Sequence, residues 1–234
     1  MYILNPLEQF EIYYIVGKIT NLALFLFINL GLFIYYCKVN YSNSLVLQRS
    51  SFINDSILST IYELVRDQIG KHYYFPFIFT LFIFILGSNF IGLIPYSFTT
   101  TSHLVLTIGF SVAILIGITI IGFKKHGTEF FSLFLPAGTP TALIPLLTSI
   151  EVISYIARAF SLGIRLFANI VAGHCLLAII SGLSYKLIVS STFVILKFVP
   201  FIIIGVFVGL EFVIAFLQAF VFTTLVASYI KDVY

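Results

Sequence analysis

Arg165 is a permanent positive charge inside a segment, residues 157–174, that is otherwise apolar enough to enter a lipid bilayer. A guanidinium stays protonated at any workable pH. Placing one at the centre of a membrane helix costs ~2.5–3.5 kcal/mol even on the lenient insertion scale. We therefore expect Arg165 either to be paired within a helix bundle or to take part in the chemistry of the protein.

A polar face accompanies Arg165 along the predicted helix. Glu151, Arg158 and Arg165 are seven residues apart, and at 100° per residue this spacing keeps them on one side. The same face includes Ser154, Ser161 and Asn169. Arg158 has three candidate partners: lipid headgroups, another subunit, or Glu151, although seven residues is too far for contact on a straight helix. His174, nine residues beyond Arg165, lies on the opposite side.

A second apolar helix carries polar residues at the same interval. Glu211 and Gln218 are seven residues apart, and Asp232 follows after two further intervals of seven. In an antiparallel hairpin, Gln218 would lie near Arg165. Glu211 would then lie towards His174, and Asp232 towards the opposite end of the pair.

The hairpin therefore predicts two titratable clusters, His174 with Glu211 and Glu151 with Asp232, on either side of Arg165. Intramembrane carboxylates and histidines are typical of proton relays. A continuous relay would short-circuit a proton gradient. A fixed cation between two half-channels would repel a proton moving straight through and favour the ionised form of a carboxylate carried past it.

The composition indicates a polytopic membrane protein. Of the 234 residues, 60% are hydrophobic and 9% are charged, whereas a soluble domain carries about 25% charged residues. We predict an all-α fold in one membrane domain, residues 1–234, with two or three conventional spans, one amphipathic surface helix, and a hairpin of two long, steeply tilted membrane helices. The predicted elements are spans at 22–37, 75–94 and 103–123, the surface helix at 54–71, a segment at 130–185 made of a proline-broken entry up to residue 147 and a long helix from residue 150, and a second long helix at 192–232.

Basic residues predict the orientation. They follow the first and third spans: Lys38, Arg49, Arg66, Lys71, Lys124 and Lys125. This side is expected to face the matrix or cytoplasm, with the C-terminus on it and the N-terminus opposite. The N-terminus carries Glu8 and Glu11 and resembles neither a secretory signal nor a transit peptide. We find no nucleotide, metal or nucleophile motif, so we expect no cofactor or metal, and the net charge of +3 without a long basic run predicts no binding of nucleic acid.

Four segments together resemble subunit a (subunit 6) of F-type ATP synthases, mitochondrial type. Residues 161–174 (SLGIRLFANIVAGH) are similar to its signature helix, and residues 209–222 (GLEFVIAFLQAFVF) to its last helix. Residues 5–12 (NPLEQFEI) and 89–103 (NFIGLIPYSFTTTSH) resemble its start and its connection between the second and third spans.

The resemblance implies a non-catalytic stator subunit of the mitochondrial inner membrane that translocates protons against a rotating c-ring. The implied partners are the c-ring, other membrane-sector and peripheral-stalk subunits, the lipid bilayer and protons. It implies that Arg165 faces the c-ring carboxylate, with Asn169 and Gln218 beside it. The implied entry half-channel contains Asn89, His174 and Glu211, and the implied exit half-channel contains Glu151 and Asp232.

Two other functions stay open from the residues alone. A secondary proton- or cation-coupled transporter would also need buried charges, but the halves show no internal repeat. A structural membrane-arm subunit of a respiratory complex would leave the seven-residue spacing unexplained. The isolated chain should transport nothing if its two half-channels depend on a separate carrier.

Overall fold

Six α-helices make up most of the part of the chain that the computed structural model describes, residues 10–16, 19–41, 49–69, 72–94, 98–127, 130, 143–190 and 194–233. They are α1 (Asn21–Tyr41), α2 (Arg49–Ile69), α3 (Phe75–Gly92), α4 (Leu104–His126), α5 (Ile144–Ser190) and α6 (Val194–Val233). Short 3-10 turns at His72–Tyr74 and Thr100–Ser102 precede α3 and α4. The all-α polytopic prediction is confirmed.

In the described part of the chain, four helices contain apolar stretches long enough to cross a membrane. These stretches are Phe75–Gly92, Leu104–His126, Ile144–Lys186 and Val199–Val233. The first predicted span is also helical, but its described apolar part, Asn21–Tyr35, is shorter than those four. The chain is therefore a multi-pass membrane protein with two unusually long helices.

The amphipathic prediction for residues 54–71 is confirmed in α2, whose described residues, Arg49–Ile69, begin earlier than predicted. Ile61 and Val65 are buried on one side, and Glu63 and Arg66 are exposed on the other. This is the division of faces that the helical spacing predicts.

The long helix α5 begins earlier than predicted. Its 47 residues start at Ile144 and span about 70 Å, against a hydrocarbon core of about 30 Å. The expected irregular entry up to residue 147 was wrong at its C-terminal end, because Pro145 lies in the first turn of the helix, where the missing N–H has no partner to lose. The remainder of that entry, residues 131–142, lies outside the described residues.

A short antiparallel ribbon precedes α1 and was not predicted. It consists of β1 (Tyr14–Val16) and β2 (Ile19–Thr20). Strands of this length carry too few residues for an alternating pattern to stand out in the sequence.

Close contacts divide the chain into two compact units. Unit 1 contains Met1–Tyr41, Ile83–His103 and Leu166–Phe220, and unit 2 contains Ser42–Phe82, Leu104–Arg165 and Val221–Tyr234. Helices α3, α5 and α6 therefore contribute to both units. A single membrane domain over residues 1–234 stays a prediction.

Helices α4 and α5 approach each other closely in unit 2 because Gly163 has no side chain. A Cβ atom there would lie 2.8 Å from the Cα of Ile108 and 2.9 Å from the carbonyl oxygen of Thr107. Nearby, the buried hydroxyl of Ser111 donates to the carbonyl of Ala159 at 2.7 Å. Small residues and hydroxyls of this kind are how membrane helices pack tightly without a hydrophobic driving force.

Candidate functional site

In unit 1, polar side chains link α5 and α6. Asn169 donates from Nδ2 to Oε1 of Gln218 at 2.9 Å, and Gln218 is almost fully buried. Further along α5, Gly173 lies against the side chain of Glu211, which comes earlier in α6. The two helices are therefore antiparallel here, as the hairpin prediction requires.

Glu211 occupies a space that only a glycine at position 173 leaves open. A Cβ atom on residue 173 would overlap the Oε1 oxygen of Glu211 and lie 3.1 Å from its Cδ. Glu211 is only 7% exposed. Its carboxylate is thus placed beside the residue that precedes His174, which agrees with the predicted pairing of these two residues at one end of the hairpin.

The imidazole of His174 is held from two directions. The ring of Phe10 meets it edge-on, with ring centroids 5.9 Å apart and an interplanar angle of 79°. The imidazole also makes a hydrogen bond to the backbone of Gly92, at the end of α3.

Three predicted site residues are among those of unit 1 that have a buried polar atom without a hydrogen-bond partner in the part of the chain that the structure describes. The atoms are Oδ1 of Asn89, Nε2 of His174 and Oε1 of Glu211. Asn89 is completely buried and uses its other side-chain atom, Nδ2, to donate to the carbonyl of Ala215 at 3.2 Å. Because buried polar groups are nearly always paired, these atoms are suited to contact water or to exchange protons. We call Asn89, His174 and Glu211 the first cluster.

A second cluster lies in unit 2 and is organised by Arg158. One terminal nitrogen of Arg158 lies 3.0 Å from Oε1 of Glu151 and donates to the hydroxyl of Ser154 at 3.4 Å. Its other terminal nitrogen is 3.9 Å from Oδ2 of Asp232. The guanidinium therefore bridges an acidic residue on each of the two long helices. We call Glu151, Arg158 and Asp232 the second cluster.

The second cluster opens into a cavity of about 370 Å³. Its lining residues are Phe130, Glu151, Tyr155, Arg158, Tyr229, Asp232 and Val233. The carboxylates and the guanidinium remain partly exposed, with side-chain exposures of 42% for Glu151, 34% for Arg158 and 63% for Asp232. A cavity of this size holds several water molecules beside two carboxylates, so protons can exchange there.

The expectation that Glu151 is too far from Arg158 for contact was wrong. Seven residues correspond to almost two full turns, about 10.5 Å along the axis. Helical side chains lean towards the N-terminus, and the arginine stem is long enough to run back over both turns. Cα spacing alone underestimates the reach of an arginine along its own helix.

Arg165 contrasts with Arg158. Its side chain is half-buried, yet among the described residues it takes part in neither of the two ion pairs, which both belong to Arg158, and in no hydrogen bond. A guanidinium cannot relieve this by losing its proton. Arg165 is therefore available to an anion supplied from outside the chain. The predicted proximity of Gln218 to Arg165 stays a prediction.

Three site residues were missed from the sequence. Tyr155 and Tyr229 line the cavity of the second cluster, and Phe10 contacts His174. The two tyrosines could have been predicted from their spacing, because Tyr155 is one turn after Glu151 and Tyr229 is three residues before Asp232. Phe10 could not have been predicted in this way, because its contact joins residues far apart in the sequence.

Comparison with known proteins identifies relatives over almost the whole chain. The family described as ATP synthase A chain matches residues 19–231. The chain is 48% identical to ATP synthase subunit a of Neurospora crassa, covering 98% of this chain and 94% of the relative. It is 44% identical to the subunits of the same description from Allomyces macrogynus, covering 98% and 96%, and from Chondrus crispus, covering 99% and 96%.

Proposed function

Because the chain belongs to the ATP synthase A chain family, we propose that it is the proton-translocating stator subunit in the membrane sector of an F-type ATP synthase. It forms two offset aqueous half-channels against a rotating c-ring, with Arg165 between them. The subunit performs no nucleotide chemistry itself; it converts proton flow into rotation.

The state of Arg165 carries this proposal. It is a half-buried cation without an ion pair or hydrogen bond among the described residues. Along α5, Glu151 and Arg158 come before it, and Asn169 and His174 come after it. An essential carboxylate on a c subunit would be the anion that Arg165 needs, and each turn of the ring would bring a new one.

The entry half-channel consists of Asn89, His174 and Glu211. Their buried unpaired atoms supply one neutral acceptor, one imidazole nitrogen and one carboxylate oxygen, which are the groups from which intramembrane relays are built. A proton that enters here neutralises the c-subunit carboxylate, and the neutral carboxyl can then turn into the lipid.

The exit half-channel consists of Glu151 and Asp232 around the cavity of the second cluster. When a protonated c subunit reaches it, the proton passes to the water and carboxylates of this cavity. The ionised carboxylate is then stabilised by the permanent charge of Arg165, which also repels a proton moving directly between the half-channels. Asn169 and Gln218 hold α5 and α6 together through their hydrogen bond.

The location follows from the same proposal. The subunit lies in the mitochondrial inner membrane, with its N-terminus in the intermembrane space and its C-terminus towards the matrix, as the basic residues favour. Its partners are the c-ring, other membrane-sector subunits, the peripheral stalk, and lipids along the apolar faces.

The test is proton-driven ATP synthesis in membranes that carry Arg165→Ala, with assembly of the complex measured on a native gel. The control is Lys124→Ala, which removes an equal charge from an exposed position at the end of α4. We expect assembled complex without coupled synthesis for Arg165→Ala and normal synthesis for Lys124→Ala. Normal synthesis in the Arg165 variant would refute the half-channel mechanism, and selective loss of assembly would assign Arg165 a structural role.

A further inference from the structure

Phe10, in the segment before the ribbon, makes a long-range contact with the first cluster in unit 1. Its ring stands edge-on to the imidazole of His174, at a centroid distance of 5.9 Å. An edge-to-face arrangement places the positive rim of one ring against the negative face of the other and is favourable beyond simple area burial. Both side chains are half-buried, so the contact lies at the margin of the unit.

Hydrogen bonds hold this segment in place. Asn21, the first residue of α1, donates from Nδ2 to the carbonyl of Glu11 at 3.0 Å and accepts from the backbone N–H of Tyr13 at 3.3 Å. Its own backbone N–H donates to the carbonyl of Tyr13 at 3.0 Å. We call these three bonds the Asn21 clamp.

The clamp matters because the residues after Phe10 do not hold themselves in an apolar core. Ile12 is 51% exposed and Tyr13 is 55% exposed. Among the described residues, the clamp behind Phe10 and the histidine in front of it hold Phe10 in position.

We infer that Phe10 is a positioning residue that covers the imidazole of His174 and fixes its orientation. The backbone of Gly92 binds the imidazole, and Phe10 closes another side. The Nε2 atom is left buried, without a hydrogen bond to the described chain. A fixed imidazole keeps this nitrogen directed into the protein, and the ring of Phe10 restricts access to the imidazole from its own side.

The role of this cover in proton entry rests on the proposed function of His174, but the cover itself can be measured separately. Diethyl pyrocarbonate reacts with neutral imidazole nitrogens, and mass spectrometry reports the modification of each histidine. We would treat the assembled complex in membranes with this reagent and measure the rate at His174 relative to His126, which lies at the end of α4.

The variants are Phe10→Ala, which removes the ring, Phe10→Tyr, which keeps it, and Phe27→Ala as a control. Phe27 is 71% exposed on α1 and takes part in none of the three bonds of the clamp. We expect the ratio of His174 to His126 modification to rise roughly three- to ten-fold in Phe10→Ala, the factor that an edge-to-face contact is worth. Phe10→Tyr should restore the wild-type ratio, and Phe27→Ala should not change it.

Asn21→Ala keeps the test decisive if Phe10→Ala does not assemble. It removes the two side-chain bonds of the clamp and keeps its backbone bond, without altering the contact surface of either ring, and we expect a rise in the same direction. An unchanged ratio in the Phe10 and Asn21 variants, or an equal rise in Phe27→Ala, would overturn the inference. ATP synthesis in His174→Gln tests the proposed function alone: unaffected synthesis would remove His174 from the proton path, whatever the labelling of wild-type His174 shows.

Discussion

Gly173→Ala should displace the Glu211 carboxylate without lowering the stability of the protein. The new Cβ overlaps Oε1 of Glu211 and lies 3.1 Å and 3.3 Å from its Cδ and Cγ. Since ordinary contacts to a Cβ are longer than this, an atom must shift. The atom that can shift most easily is the carboxylate, because it is the far end of a flexible side chain.

The effects on stability nearly cancel. Replacing a glycine by alanine inside a helix is favourable by roughly 0.5–1 kcal/mol. Forcing Glu211 away from its preferred rotamer costs about 0.5–1.5 kcal/mol. We therefore expect normal assembly of the complex with Gly173→Ala.

The loss of proton-transfer rate has no opposing effect to offset it. A displacement of about 1 Å at a reacting group can reduce the rate by up to ~10²-fold. We expect proton-driven ATP synthesis to fall by at least about ten-fold, measured as initial rate per assembled complex at a fixed proton gradient.

Two variants sharpen this test. Gly182→Ala makes the same change further along α5, where a Cβ would meet nothing within 4 Å, and it should retain full activity. In the double variant Gly173→Ala with Glu211→Asp, the shorter side chain makes room for the methyl group, so it should assemble as well as Gly173→Ala and be more active. Wild-type rates in Gly173→Ala would show that the position of Glu211 does not limit proton entry.

Three further predictions concern unit 2 and the turn before α4. Gly163→Val should prevent assembly, measured on a native gel, because its Cβ would meet backbone atoms of α4 that cannot rotate away. The control Gly117→Ala places its Cβ in open space and should assemble normally on the same gel. Arg158→Gln should reduce ATP synthesis more than Arg158→Lys, since only lysine preserves a cation between the two carboxylates; equal rates would make that charge irrelevant. Burial lowers the pKa of His103 below 6.5, so the folded state binds this proton less readily than the unfolded state, and stability falls as pH decreases through 6.5. His103→Gln should weaken this acid sensitivity in thermal unfolding of the complex, and an unchanged pH dependence would contradict it.

Helix identity was accessible from the sequence because it depends on local pattern. Long apolar runs predicted the spans, and helical spacing predicted the amphipathic α2. The seven-residue intervals also predicted which polar residues share a face, since a helix returns to nearly the same side after seven residues. Helix ends were less certain, as Pro145 shows, because a proline opens a helix as readily as it breaks one.

The contacts across elements were decided only by the tertiary structure. Glycines 163 and 173 look alike in the sequence. The backbone of α4 packs against Gly163, whereas the carboxylate of Glu211 packs against Gly173. The contact of Phe10 with His174 joins residues more than 160 positions apart, and no local periodicity encodes such a pair. The sequence by itself determined the type and order of the helices and the charge of Arg165, because these follow from residue chemistry and short-range geometry. Which atoms are paired, and which are buried without a partner, depends on how separate helices pack.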